Sequence, residues 1–252
     1  MSTRKESNKM QAYLRAEFLK TKRTFTRKLT WLAPLLTLLL CAVLMGGRFF
    51  QIASYNWWYT LLLPGALTLM CTGVIQKDSK KLKYRAILGL PVPLPKIWLG
   101  KIGVIAGLLL VSSVILMLGI AFSELVFPGG LTLADHALGS LLLFLTFLWQ
   151  IPLCLFLTDR IGMFATMIVN VLGNIACNVL LATTAYWWAV PYAIPSRLMC
   201  AAIGVLPNGL PVPEGDALWD KSVILPGVLI TLVLFFLLCI LTMRLFHHRE
   251  AK

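Results

Sequence analysis

The sequence predicts an all-α integral membrane protein with six transmembrane helices and cytoplasmic N- and C-termini, and three observations lead there. Charged residues make up only 13% of the chain and apolar ones 59%, where a soluble domain carries roughly a quarter charged residues. The apolar residues come in six continuous runs rather than in alternation. Each run is long enough to cross a hydrocarbon core about 30 Å thick as a helix, which satisfies its own backbone polar groups there. The basic residues, finally, collect on one side. Placing the N-terminus, the 77–96 loop with Lys101 just beyond it, the Asp159–Arg160 turn and the C-terminus together gathers 20 of the 23 Lys and Arg residues, leaving only Arg48, Arg197 and Lys221 opposite. The more basic side is normally cytoplasmic, so the number of spans is even.

The chain opens with a basic stretch whose residues 8–25 place Met10, Tyr13, Leu14 and Phe18 at helical spacing, with Lys9, Arg15, Lys20, Lys22 and Arg23 on the other side. This predicts an amphipathic helix on the inner membrane surface. The spans are expected at residues 29–46, 57–76, 97–122, 136–158, 161–185 and 222–245. No small-residue cleavage site follows the first of them, which argues against a cleaved signal peptide. The whole chain, 1–252, reads as one transmembrane domain.

Between the second and third spans, seven basic residues (Lys77, Lys80, Lys81, Lys83, Arg85, Lys96, Lys101) surround a single acid, Asp78. Residues 78–90 predict a short cytoplasmic helix, capped by Asp78 or Ser79 and stopped by "LPVPLP", because proline cannot continue a helix. Its basic face is too dense to be self-paired, so lipid headgroups or another protein are its expected partners.

The segment 186–220, "YWWAVPYAIPSRLMCAAIGVLPNGLPVPEGDALWD", holds five prolines and an apolar stretch too short to cross. A re-entrant or surface-lying helical hairpin is expected. Trp187, Trp188 and Trp219 suit the headgroup level. Glu214, Asp216 and Asp220 make the segment locally acidic, either as solvated loop charges or as a long-range attraction for a cationic ligand. With Arg197, these residues form a candidate outer gate or contact surface.

Asn170, Asn174 and Asn178 recur every four residues in the fifth span. They share a helix face that is poorly suited to lipid. Two readings stay open: helix packing or lining a transport path. Pro64, Pro152 and Pro226 are candidate kinks. The six cysteines show no metal-ligand spacing, and Cys200 is the one candidate for chemistry outside the spans.

Several classes of chemistry are disfavoured. No Walker loop is present, so this chain binds no ATP in that manner. No buried cluster of His, Asp or Glu suggests a membrane enzyme or a metal site. The acids Glu124, Asp135 and Asp159 lie at span ends, against an ion-coupled carrier. The net charge of +13 reads as a topology signal and an attraction for anionic lipid rather than nucleic-acid binding.

Six spans, an amphipathic helix before the first, a basic helix between the second and third and a re-entrant outer segment together resemble the membrane subunits of type-two ABC exporters. Local stretches narrow the likeness: "LRAEFLKTKRTFTRKLTWLAPLLTLLL", "YNWWYTLLLPG", "KYRAILGLPVPLPKIWLGKI" and "SRLMCAAIGVLPNGLP" are similar to the lantibiotic-immunity permeases, the MutE/EpiE and MutG group. The resemblance covers nearly the whole chain. It implies a non-enzymatic permease in a bacterial plasma membrane, paired with a related sister permease and an ABC ATPase dimer. ATP and Mg would be bound by that partner, and lantibiotic peptides would be expelled outward. It also implies that Lys80, Lys81, Arg85 and Leu88 belong to a coupling helix seated on the ATPase, which Leu14, Phe18 and Lys22 of the first helix also touch. Export of another peptide or lipid-linked substrate, and a membrane immunity or sensor protein that sequesters the peptide without transport, are the rival expectations.

Overall fold

The computed structural model describes residues 2–82 and 93–247, and the side chains of 10–79 and 93–247. The fold begins with α1 (Ser2–Lys20), followed by α2 (Phe25–Leu44), α3 (Phe50–Ser79) and α4 (Leu94–Ser123). It continues with α5 (Leu133–Ile161), α6 (Met163–Leu181), the short α7 (Ile194–Ile203) and α8 (Lys221–His247). Six of these helices, α2 to α6 and α8, are long and apolar enough to cross a membrane. This is the architecture of a multi-pass membrane protein, and all six expected spans are present.

Their burial is graded. In the apolar windows of α3 and α5, 67% of residues are buried, against 22% in α6 and 17% in α8. The bundle is therefore centred on α3 and α5, and α6 and α8 lie at its rim. Phe164, Leu172 and Leu180 on α6 and Leu225, Val233 and Phe236 on α8 are exposed. An apolar surface of this extent is suited to hydrocarbon rather than to water.

Within the bundle, α2 lies along α4, and α3 along the second half of α5. The buried α7 packs against the first half of α5 and against α8. All ten residues of α7 are buried. Its chain turns at Gly204, whose left-handed φ of 67° suits a residue without a Cβ and whose face is covered by the Trp219 ring.

Two spans depart from regular α-helix. Trp58–Leu62 in α3 and Ile168–Leu172 in α6 each form a π-helical turn, and the two helices are packed together around them. Pro64 follows the first turn directly and removes an N–H from the ladder. Helix α5 starts with a reciprocal cap between Thr132 and Asp135, so that acid has a structural task. The same helix is interrupted at Leu148–Trp149, just before Pro152.

Three expectations need correction. The first helix ends at Lys20, earlier than residue 25, because Thr21–Thr24 form the turn into α2. Asp78 caps no new helix: the helical segment Leu63–Leu82 runs through it, and Asp78 is 2% exposed. Cys200 is not accessible for chemistry. It is fully buried, its thiol donates to the Val205 carbonyl at 3.1 Å, and burial pushes its pKa up to about 11.

Candidate functional site

At the end of the bundle where the basic flanks converge, α1 supplies Glu17 and Lys20, α3 supplies Lys77 and Asp78, and α4 supplies Lys101. Lys101 is 0% exposed, although it stands in a helix that otherwise reads as a membrane span. Its ammonium meets Glu17 Oε2 at 2.9 Å and also pairs with Asp78 Oδ2. Lys20 closes the ring, 2.6 Å from Glu17 Oε1 and 3.3 Å from Asp78 Oδ1. Lys77 donates to the carbonyl of Lys20, at the last turn of α1.

The result is a four-membered ion cluster that joins three helices. Each carboxylate accepts from two ammonium groups, the condition under which burying charge is tolerable. Burial alone would lower the pKa of Lys20, but the hydrogen bond and charge of Glu17 and the charge of Asp78 outweigh it and hold the ammonium above the ordinary lysine value. Lys101, beyond the helix expected at 78–90, is thus paired internally, while the basic side chains of that helix lie outside the described residues. The acid that sequence reasoning missed was Glu17, separated from Lys101 by two intervening spans.

Glycine allows α1 to reach this position. A Cβ at Gly100 would lie 3.3 Å from Glu17 Cγ, and one at Gly103 would lie 2.5 Å from Leu14 Cδ2. α1 is therefore docked on α4 along a face without side chains, with Leu14 half-buried in that contact. Phe18 is partly exposed under the Arg27 guanidinium, 4.8 Å from its ring centre, and Lys22 is exposed. On the other side of α4, Trp98 donates to Thr242 Oγ1 of α8 at 2.9 Å and stacks on Phe246. The end of α8 is thereby tied to the same helix turn as the ion cluster.

Leu88 and Arg85 lie outside the described residues, as do the side chains of Lys80 and Lys81; the backbone of those two lysines continues the helix that carries Asp78. The buried ion cluster thus joins the helices on either side of the segment expected to make the external contact, through Asp78 of α3 and through Lys101, two turns into α4.

The asparagines form a separate structural feature. Asn170, Asn174 and Asn178 are fully buried. Asn170 Nδ2 donates to Thr68 Oγ1 at 3.1 Å and to the Pro64 carbonyl at 3.3 Å, and its Oδ1 accepts from Tyr192 at 3.1 Å. Asn174 Nδ2 reaches the carbonyls of Tyr59 and Thr60 at 2.8 and 2.9 Å. Both therefore hydrogen-bond to α3 within one chain. Asn178 meets no partner among the described residues.

At the opposite end, the residues expected to form an outer gate do not converge on one site. Arg197 is 6% exposed, donates to the Leu218 carbonyl at 2.8 Å and lies 5.9 Å from the Trp187 ring centre. Asp216 and Asp220 cap the short turns that follow them, accepting from the N–H groups of Leu218 and Ser222. The Ser222 N–H and hydroxyl hold the Asp220 carboxyl below its ordinary range. Trp219 covers Gly204 and donates to the Pro213 carbonyl at 3.0 Å. Trp188 and Glu214 are exposed. Asn56, which the sequence did not single out, fastens the segment to α3 by donating to the carbonyls of Leu206 and Pro207 at 3.2 and 3.0 Å.

The described residues hold no group of three or more His, Cys, Asp or Glu side chains placed to bind a metal. Comparison with protein-family models, with curated proteins and with solved structures returns no match.

Proposed function

We propose that this chain is the membrane-spanning subunit of an ATP-driven exporter of the type-two ABC kind, and that it expels lantibiotic peptides from the membrane to the outside. In this reading both termini are cytoplasmic, and the basic helix expected at 78–90, around Lys80 to Leu88, seats on a separate ATPase that binds ATP and Mg. A sister permease completes the pair.

One observation carries the mechanical part. The ion cluster of Glu17, Lys20, Asp78 and Lys101 joins α1 to the two helices that enter and leave segment 80–92. A push delivered to that segment is then shared by α1, α3 and α4 rather than absorbed by a loose loop. α8 follows through Trp98 and Thr242. The absence of a nucleotide-binding loop in the sequence makes an external energy source part of the proposal. The peptide substrate is carried by the sequence resemblance, and lateral expulsion from the bilayer requires no deep charged pocket.

The first test is gentle solubilisation of the tagged protein from its native membrane, with identification of what accompanies it by mass spectrometry. Recovery of a second six-span protein and an ATPase is the expected result. Recovery of this chain alone, under conditions that keep a known ABC complex intact, would favour a sequestering immunity protein. Replacing Lys80, Lys81 and Arg85 by Glu is expected to abolish protection against the peptide while membrane insertion is kept.

A further inference from the structure

We infer that the groove between α1, α2 and α4 is a binding site for one anionic glycerophospholipid from the leaflet at the basic end of the bundle. The inference rests on the membrane-spanning character of the helices and is independent of the exporter reading.

The groove has two joined lobes of about 430 and 460 Å³ that share Phe18, Leu108 and Val111. One lobe opens because α4 carries glycine where it faces α1. Gly103 is occupied by Leu14, but a Cβ on Gly107 would have nothing within 4 Å. Its wall continues along exposed Val111 and Trp31, onto surface suited to acyl chains. Trp31 stands in the second turn of its span, at a depth where an indole finds both apolar and polar surroundings.

The charged residues that line the groove are all cationic. Arg23, Arg27 and Lys28 line the same lobe as Trp31, and among the described residues no carboxylate pairs with any of them. The nearby acids are already committed, Glu17 and Asp78 each being held between two ammonium groups. Arg23 is held at a φ of 60°, left-handed backbone that a non-glycine residue rarely adopts, at the turn where α1 gives way to α2. An apolar trough that ends in three uncompensated cations is complementary to a two-chain lipid with a monoanionic phosphate, and phosphatidylglycerol has that chemistry.

The open space at Gly107 makes the inference testable with little risk to folding. The protein is extracted from vesicles of equal phosphatidylglycerol and phosphatidylcholine, and retained lipid is counted by native mass spectrometry. Wild type is expected to retain phosphatidylglycerol in preference. Gly107→Leu, which fills the trough, is expected to lower that retention at least fivefold. The pair Arg27→Gln and Lys28→Gln, which leaves Arg23 in place, is expected to keep lipid but weaken the headgroup preference by roughly fivefold for each cation removed. Unchanged retention in Gly107→Leu, or a preference undiminished by loss of both cations, would overturn the assignment. So would efficient copy-to-copy cross-linking through Gly107→Cys, which would place a second protein in the groove. If Gly107→Leu fails to insert, the glutamine pair decides alone.

Discussion

Asn174 Nδ2 lies 2.9 Å from the carbonyl oxygen of Thr60, to which residue 64, four positions on, offers no N–H because it is proline. The π-helical register around Trp58–Leu62 has a related effect on Tyr59, whose fifth residue onward is the same proline. The amide of one span thus satisfies two carbonyls that a proline leaves open in another, which is how a helix defect becomes tolerable in hydrocarbon.

Asn174→Leu is accordingly expected to destabilise the bundle by about 1–2 kcal/mol, at the upper end for an interhelical polar contact in a membrane. Asn178→Leu should cost less or even stabilise, because its amide meets no partner among the described residues. Melting of both variants in detergent measures the contrast, and an equal loss would assign Asn178 a contact outside this chain.

Lys101→Met removes the cation shared by Glu17 and Asp78 and leaves both carboxylates under-compensated. A loss of about 3–5 kcal/mol is expected. Adding Glu17→Gln and Asp78→Asn to the same chain should recover much of it, since the buried charge is then gone. Hydrogen exchange along α1 tests where the loss is felt, and protection should fall first over residues 10–20.

Lys20 is held above the ordinary lysine value. The stability it contributes is therefore fully present below the unfolded value of about pH 10.4, and is lost as pH rises through the higher folded value. The melting-temperature gap between wild type and Lys20→Met should be flat from about pH 7 to 10 and should close above that. A gap that closed on acidification would contradict the pairing.

Gly103→Ile sets a branched side chain where Leu14 already sits. It should loosen α1 from α4 while leaving the six spans inserted, and hydrogen exchange over α1 should rise by at least tenfold. Gly107→Leu, one turn further along, should leave that exchange unchanged because the space there is open.

Much of the fold was legible in the residues. Runs of apolar side chains longer than a bilayer is thick have few alternatives to helix, so all six spans were visible, and the short apolar stretch within 186–220 was visible as one that could not cross. Boundaries were less accessible. The second span was expected at residue 57 yet begins at Phe50, because Gln51, Ser54 and Asn56 look like loop until their partners are known. Gln51 is fully buried, bonded to Glu124 and to the N–H of Leu131, contacts made 73 and 80 residues away.

The same limit applies to the site. Basic density, hydropathy and the four-residue recurrence of asparagine are local properties, and composition with spacing was enough to establish a six-span helical membrane chain with one basic side. Which charges are spent internally and which remain free is a property of pairs. Only the packing of α1 onto the glycine face of α4 brings Glu17 to Lys101, 84 residues apart. That single approach decides that Lys20 and Lys101 are internal struts while Arg23, Arg27 and Lys28 stay uncommitted, because a buried carboxylate can compensate only the cations that the fold places within reach of it.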